Sequence, residues 1–173
     1  MEEGEIRRYL KLRREIQSLL PGVFIEIRDL VKTRVGVEGT VGEFDRERAM
    51  TLFPELGLNV PVDWVAFGFA PQPFYDVHIG VILETQEWPV MCHTGLHVSA
   101  TAWPSLEHRV ARIDWQAMVG AVPDHTIAGN VREHRFCDPS RRFDFADPHR
   151  EAEVLADRAA AYYHAARDHV AVG

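Results

Sequence analysis

Three of the nine histidines of this chain, His78, His93 and His97, fall in one alternating stretch, "YDVHIGVILETQEWPVMCHTGLHVSA", residues 75–100. Imidazole is the side chain best suited to carry protons near neutral pH or to ligate a transition metal. With Asp76 beside them, His78 and His97 form a two-histidine, one-carboxylate set that suits zinc with an open water position, or non-haem iron(II). Such a centre acidifies its bound water and describes a divalent-metal-dependent hydrolase, with His93 as a proton-transfer group. His93 and His97 are four residues apart along one strand, on the order of 13 Å, which separates them too far to share an ion without distortion. The leading reading needs no metal: Asp76, His78, His93 and His97 line a surface that binds a small polar or anionic molecule. The plainest reading is a solvated face of an antiparallel sheet, where polar residues need no further purpose.

A second cluster, "REHRFCDPSRRF", brings Arg132 and Arg135 near His134, Arg141 and Arg142. Guanidinium groups grip carboxylate and phosphate bidentately, so Arg132 and Arg135 join the candidate ligand-binding residues. A solvated strand and turn, partly neutralised by Asp138 and Asp144, is the competing account. Asp124-His125 resembles a carboxylate orienting a base, but strand neighbours point to opposite faces and no nucleophile can be assigned beside them. Cys92 and Cys137 are too few and too far apart for a disulfide framework or a CxxC site.

The elements that must position these residues follow from periodicity. Ile6, Tyr9, Leu12, Ile16 and Leu19 mark an amphipathic helix that Pro21-Gly22 should break, and Val23, Phe24, Ile27, Leu30, Val31 and Val35 predict a second. "VGVEGTVGEF" reads as a loop or small hairpin rather than a phosphate cradle, since no Gly-Lys-Ser/Thr follows. Asp45 could cap a short helix to Phe53, and Trp88 near a hairpin tip is a candidate contact residue. Residues 62–70, 75–84 and 89–100 are three β-branched and aromatic runs with short connections, which predicts an antiparallel meander. Pro104 opens a helix, "DWQAMVGAV" adds a short helical piece, and Gly129-Asn130 sits in a predicted hairpin. Asp147-Pro148 starts a last helix running to about His169, with alanines that allow close packing.

Sorted by parity, Tyr75, Val77, Ile79, Val81 and Leu83 face one side with Val90, Cys92, Thr94, Leu96 and Val98, and every histidine of the stretch faces the other. A connection of two or four residues would set Asp76 opposite His97, His78 opposite Gly95 and Gly80 opposite His93. Glycine within a strand marks a place where another group approaches closely.

The whole reads as a single α+β domain over residues 1–173, an antiparallel sheet with N-terminal and C-terminal helices packed on one face. A net charge of −7 opposes phosphate-backbone binding, so nucleic acid is disfavoured as a partner. The charged amino terminus and the lack of a long apolar run predict a cytoplasmic protein with no membrane partner. An oligomer, or an interaction module without catalysis using the sheet face or terminal helices, is the third functional reading. The initial helical region followed by "WVAF" at 64–67 and "HIGV" at 78–81 resembles the YktB family of uncharacterised bacterial proteins. That resemblance covers some twenty residues and implies an α+β fold, with no established activity and no functional residue to carry over; "APQPFYDV" stands where the family has a basic, glycine-containing link.

Overall fold

A computed structural model describes residues 3–42, 64–70, 75–84, 89–128 and 133–171. It shows an α+β architecture in which α1 (Glu3–Val35) precedes β1 (Gly39–Val41), β2 (Trp64–Gly68), β3 (Val77–Glu84) and β4 (Met91–Val98). Two short helices follow, α2 (Trp103–Val110) and α3 (Trp115–Val119), then β5 (Asp124–Ala128), β6 (Glu133–Cys137), β7 (Arg141–Arg142) and α4 (Pro148–Val170). All strand pairings are antiparallel, in the order β1-β2-β3-β4-β6-β5, with β7 also paired to β4. The meander therefore holds through β4, after which the last hairpin joins with its second strand inward.

The apolar parity of the strands forms the core face. Val65, Phe67, Ile79, Val81, Leu83, Cys92 and Leu96 are fully buried there against Leu20, Phe24, Ile27 and Val31 of α1 and the alanine stripe of α4. Ala152, Ala156, Ala159 and Ala166 have almost no side chain to hold the helix off, so α4 lies close to both α1 and the strands β3 and β4. Its start is as expected: the Asp147 carboxylate accepts from the Arg150 amide at 3.0 Å and Pro148 occupies the first turn. The short helix α3 is likewise capped by Asp114 and ends on Gly120 in the left-handed region, φ 81°.

One expectation fails near the amino terminus, where α1 runs unbroken through Pro21 and Gly22. An interior proline costs roughly 3 kcal/mol, but residues on both sides of it share one buried stripe, and each fully buried Leu, Ile, Val or Phe returns about 1.5–3 kcal/mol. Leu20, not Leu19, carries that stripe, for Leu19 is 46% exposed. The helix stops at Gly36, whose φ of 74° and N–H hydrogen bond to the Lys32 carbonyl at 2.8 Å form a left-handed cap. The expected Asp45 helix, Trp88, Arg132 and the Gly129-Asn130 turn lie outside the described residues.

Candidate metal and ligand site

The parity assignment places His78, Gly80, His93, Gly95 and His97 on the face opposite the core, as their alternation requires. The pairing differs from the expected one by two residues: His78 lies opposite His97, Gly80 opposite Gly95, and Ile82 opposite His93. A six-residue connection, 85–90, separates the last pair Glu84 and Met91, where two or four had been expected. A slip of two keeps every side chain on its own face, so the histidine face survives while the neighbours change.

The glycines do not leave an empty slot above the sheet. A Cβ on Gly80 would lie 3.0 Å from Nε2 of His97, and one on Gly95 would lie 2.5 Å from Sγ of Cys137. The His97 ring therefore rests over Gly80 and the Cys137 thiol over Gly95. Gly95 also sits midway between His93 and His97 on their shared face, and Cys137 is its partner on β6. With no side chain in the middle, the two imidazoles lean toward one another and toward the thiol. One ligand atom from each of His93, His97 and Cys137 lies within 4.8 Å of the others. The expected separation of His93 from His97 is thus overturned, because strand rise fixes the distance between their Cα atoms and not between their ring nitrogens.

A second set, His78, His97 and Glu133, meets the same 4.8 Å criterion. His97 belongs to both sets and is only 2% exposed. Its Nε2 lies 3.6 Å from the Cys137 sulfur, and its Nδ1 lies 3.3 Å from Oε2 of Glu133. Glu133 in turn accepts from Nε of Arg135 at 2.7 Å. The His78 ring is tilted beside that of His97, centroids 5.0 Å apart.

Burial dominates the ionisation of these groups. It pushes His93 down to about 4, assisted by the charges of His97 and Arg135, and pushes His97 down against the pull of Glu133. Both rings are neutral at pH 7, the form in which imidazole ligates a metal. Burial works against the Glu133 charge, but His97 and then Arg135 outweigh it and hold the carboxyl down at about 2. A carboxylate there accepts the Nδ1 proton of His97 and leaves the Nε2 lone pair toward Cys137. Burial pushes the Cys137 thiol up to about 12, so free thiolate is scarce and the row Cys137, His97, Glu133 is poorly set up as a nucleophile and base.

The remaining predicted residues are placed as follows. Asp76 accepts from the Ser99 hydroxyl at 2.8 Å, and that oxygen accepts from the Ala102 amide at 3.1 Å, so Asp76 pins the turn into α2 and enters neither ligand set. Arg135 stands opposite His97 and holds Glu133. Asp124 and His125 point to opposite faces; His125 stacks on Phe136, centroids 4.3 Å apart, and its Nε2 is 3.2 Å from Nδ1 of His134. Glu133 and Cys137 were not singled out from the sequence. Their alternation with Arg135 in "EHRFC" was legible, but nothing in the chain order announces that β6 rather than β5 lies beside β4.

No family model, curated protein or solved structure matches this chain. Among the described residues no helix is long and apolar enough to cross a membrane.

Proposed function

We propose that this protein binds a divalent transition metal, zinc by ligand type, through His93, His97 and Cys137, and that the remaining coordination position takes water or a small polar ligand. The observation that carries the reading is the convergence of two imidazoles and a thiol, one ligand atom of each within 4.8 Å of the others, with the His97 ring over Gly80 and the thiol over Gly95. A tetrahedral zinc with Zn–N near 2.05 Å and Zn–S near 2.3 Å has an N···S edge of about 3.6 Å. The Nε2 to Sγ distance is 3.6 Å. Glu133 stands where a carboxylate orients a ligating histidine through its other nitrogen, a common outer partner of zinc sites. Three protein ligands and one open position are the coordination of catalytic rather than closed structural zinc, which connects this reading to metal-assisted hydrolysis.

The set His78, His97 and Glu133 suits iron(II) by type, but its carboxylate is already held by Arg135 at 2.7 Å. Cobalt(II) substitution separates the two. Metal-free protein should take up one equivalent of cobalt and develop a thiolate-to-metal absorption band, which Cys137→Ser abolishes while Glu133→Gln retains it. Cobalt uptake without that band, or no stoichiometric uptake, defeats the proposal.

A further inference from the structure

On the other side of β4 the structure holds a cavity of about 380 Å³, lined by residues of β4, the 119–121 and 138–141 segments, and α4. It opens where the sheet parts. Gly95 pairs with Cys137 of β6 and Cys92 with Arg141 of β7, so the intervening residues 138–140 leave the ladder and His93 and Thr94 keep a strand neighbour only on the β3 side. Only the Asp138 amide returns, donating to the Thr94 carbonyl at 2.9 Å. Cys92 and Thr94 are fully buried on the floor, while Gly120 and Pro139 are exposed at the rim.

The carboxylates near this cavity are already engaged. Both oxygens of Asp138 accept from Arg158, at 2.8 and 2.5 Å, and one also accepts from the Tyr162 hydroxyl at 3.0 Å. Arg158 donates its other terminal nitrogen to the Val119 carbonyl at 2.6 Å. Glu151 faces Nη1 of Arg141, 2.7 Å away at its nearer oxygen. Among the described residues near this cavity, the buried atoms without a hydrogen bond are Nη2 of Arg141, the hydroxyl of Thr94, itself 1% exposed, Oε2 of Glu151, which keeps only its ion pair with Arg141, and Nδ1 of His93, 3.5 Å from the Glu84 carboxylate. A buried polar group left unpaired is costly, and buried polar groups are almost always paired. Arg141 and Thr94 can donate, and both line one space that can hold a small molecule.

We infer that this cavity is a binding site for the oxyanion group, carboxylate or phosphate, of a small molecule, with Arg141 and Thr94 as its hydrogen-bond donors. Asp138 and Glu151 balance the two guanidinium charges, so selection comes from donor geometry rather than from a net positive field. The site is independent of the metal centre, although His93 lines both.

The test is titration of the intact protein with succinate and, separately, inorganic phosphate, followed through the backbone amide resonances at constant ionic strength. One of the two should shift Thr94, Gly120, Ala121 and Arg141 saturably, and which one does so assigns the oxyanion. Arg141→Gln and the isosteric Thr94→Val should each weaken that binding by roughly tenfold, while Thr94→Ser retains it. No saturable shift with either anion, or binding by Arg141→Gln and Thr94→Val as tight as that of the parent, overturns the inference. Cys137→Ser distinguishes the two sites, since it removes the metal centre and leaves this titration unchanged.

Discussion

Replacing Gly95 and Gly80 by alanine separates the packing of the histidine face from its chemistry. The two glycines face each other across β3 and β4, and a helix- or strand-propensity argument alone treats them alike, with each alanine gaining about 0.5–1 kcal/mol of backbone entropy. Their surroundings differ. A methyl on Gly95 would penetrate the Phe136 carbonyl oxygen and stand 2.6 Å from the Cys137 Cα and 2.5 Å from its sulfur. The obstacle is backbone of a hydrogen-bonded neighbour strand, so β4 and β6 must separate and no side-chain rotation relieves it. Overpacking of this kind costs about 3 kcal/mol, at the upper end of the usual range, which leaves a net loss of about 2 kcal/mol or more after the entropy gain. A methyl on Gly80 meets only the edge of the His97 ring, at 3.0, 3.1 and 3.4 Å, and a shift of a few tenths of an ångström accommodates it. Its net effect on stability is within about 1 kcal/mol, but Nε2 of His97 moves and zinc affinity falls by roughly tenfold or more, as when the support of a ligand is disturbed. Urea unfolding of both variants, with the slope unchanged, reads the first quantity and zinc titration of Gly80→Ala reads the second. If Gly95→Ala is as stable as the parent, or Gly80→Ala destabilises as much as Gly95→Ala, the account of what fills the space above each glycine is wrong.

Two further outcomes follow from burial at the site. Because His93 ionises at about 4 in the folded protein and near 6.5 when unfolded, the unfolded state binds the extra proton between those values. Stability of the metal-free protein should therefore be complete above pH 6.5 and fall as the pH drops toward 4, by on the order of 3 kcal/mol, with His97 acting in the same direction. Denaturant midpoints that stay level from pH 7 to 4.5 would contradict this. The thiols give the other: burial pushes Cys92 up to about 11 and Cys137 to about 12, so neither should be alkylated by iodoacetamide in the native state at the rate of an exposed cysteine. Rapid native-state labelling of Cys137, located by peptide mapping, would show that the thiol is not where the ligand set requires.

The parts of the fold written in local chemistry were readable in advance. Asp147-Pro148 is a start signal that needs no partner, and the alternation of 75–84 and 89–100 sorts side chains onto two faces whatever the register. Register itself depends on the length of the connection, and the short estimate for 85–90 moved every cross-strand neighbour by two while leaving the faces intact. Pro21 shows the reverse failure, a strong local signal overruled by the burial of Leu20, Phe24, Ile27 and Val31. Strand order was beyond reach for a different reason. The hairpin of β5 and β6 can join the sheet by either strand with the same local sequence, and only the choice of β6 brings Glu133, Arg135 and Cys137 beside His97.

Spacing along a strand does not by itself decide whether two side chains can meet. Residues at i and i+4 of a strand are about 13 Å apart at their Cα atoms, which argues against a shared ion only if the residue between them on that face fills the gap. Here that residue is Gly95, and the thiol of its partner across the ladder, Cys137, lies over it. Spacing of four along a strand therefore does not by itself keep two ring nitrogens apart when the residue between them on that face has no side chain. The pattern "HTGLH" at 93–97 contains such a residue, and reading its glycine as a vacancy for two converging rings, rather than for a ligand descending on the sheet, would have united His93 with His97 from the sequence alone.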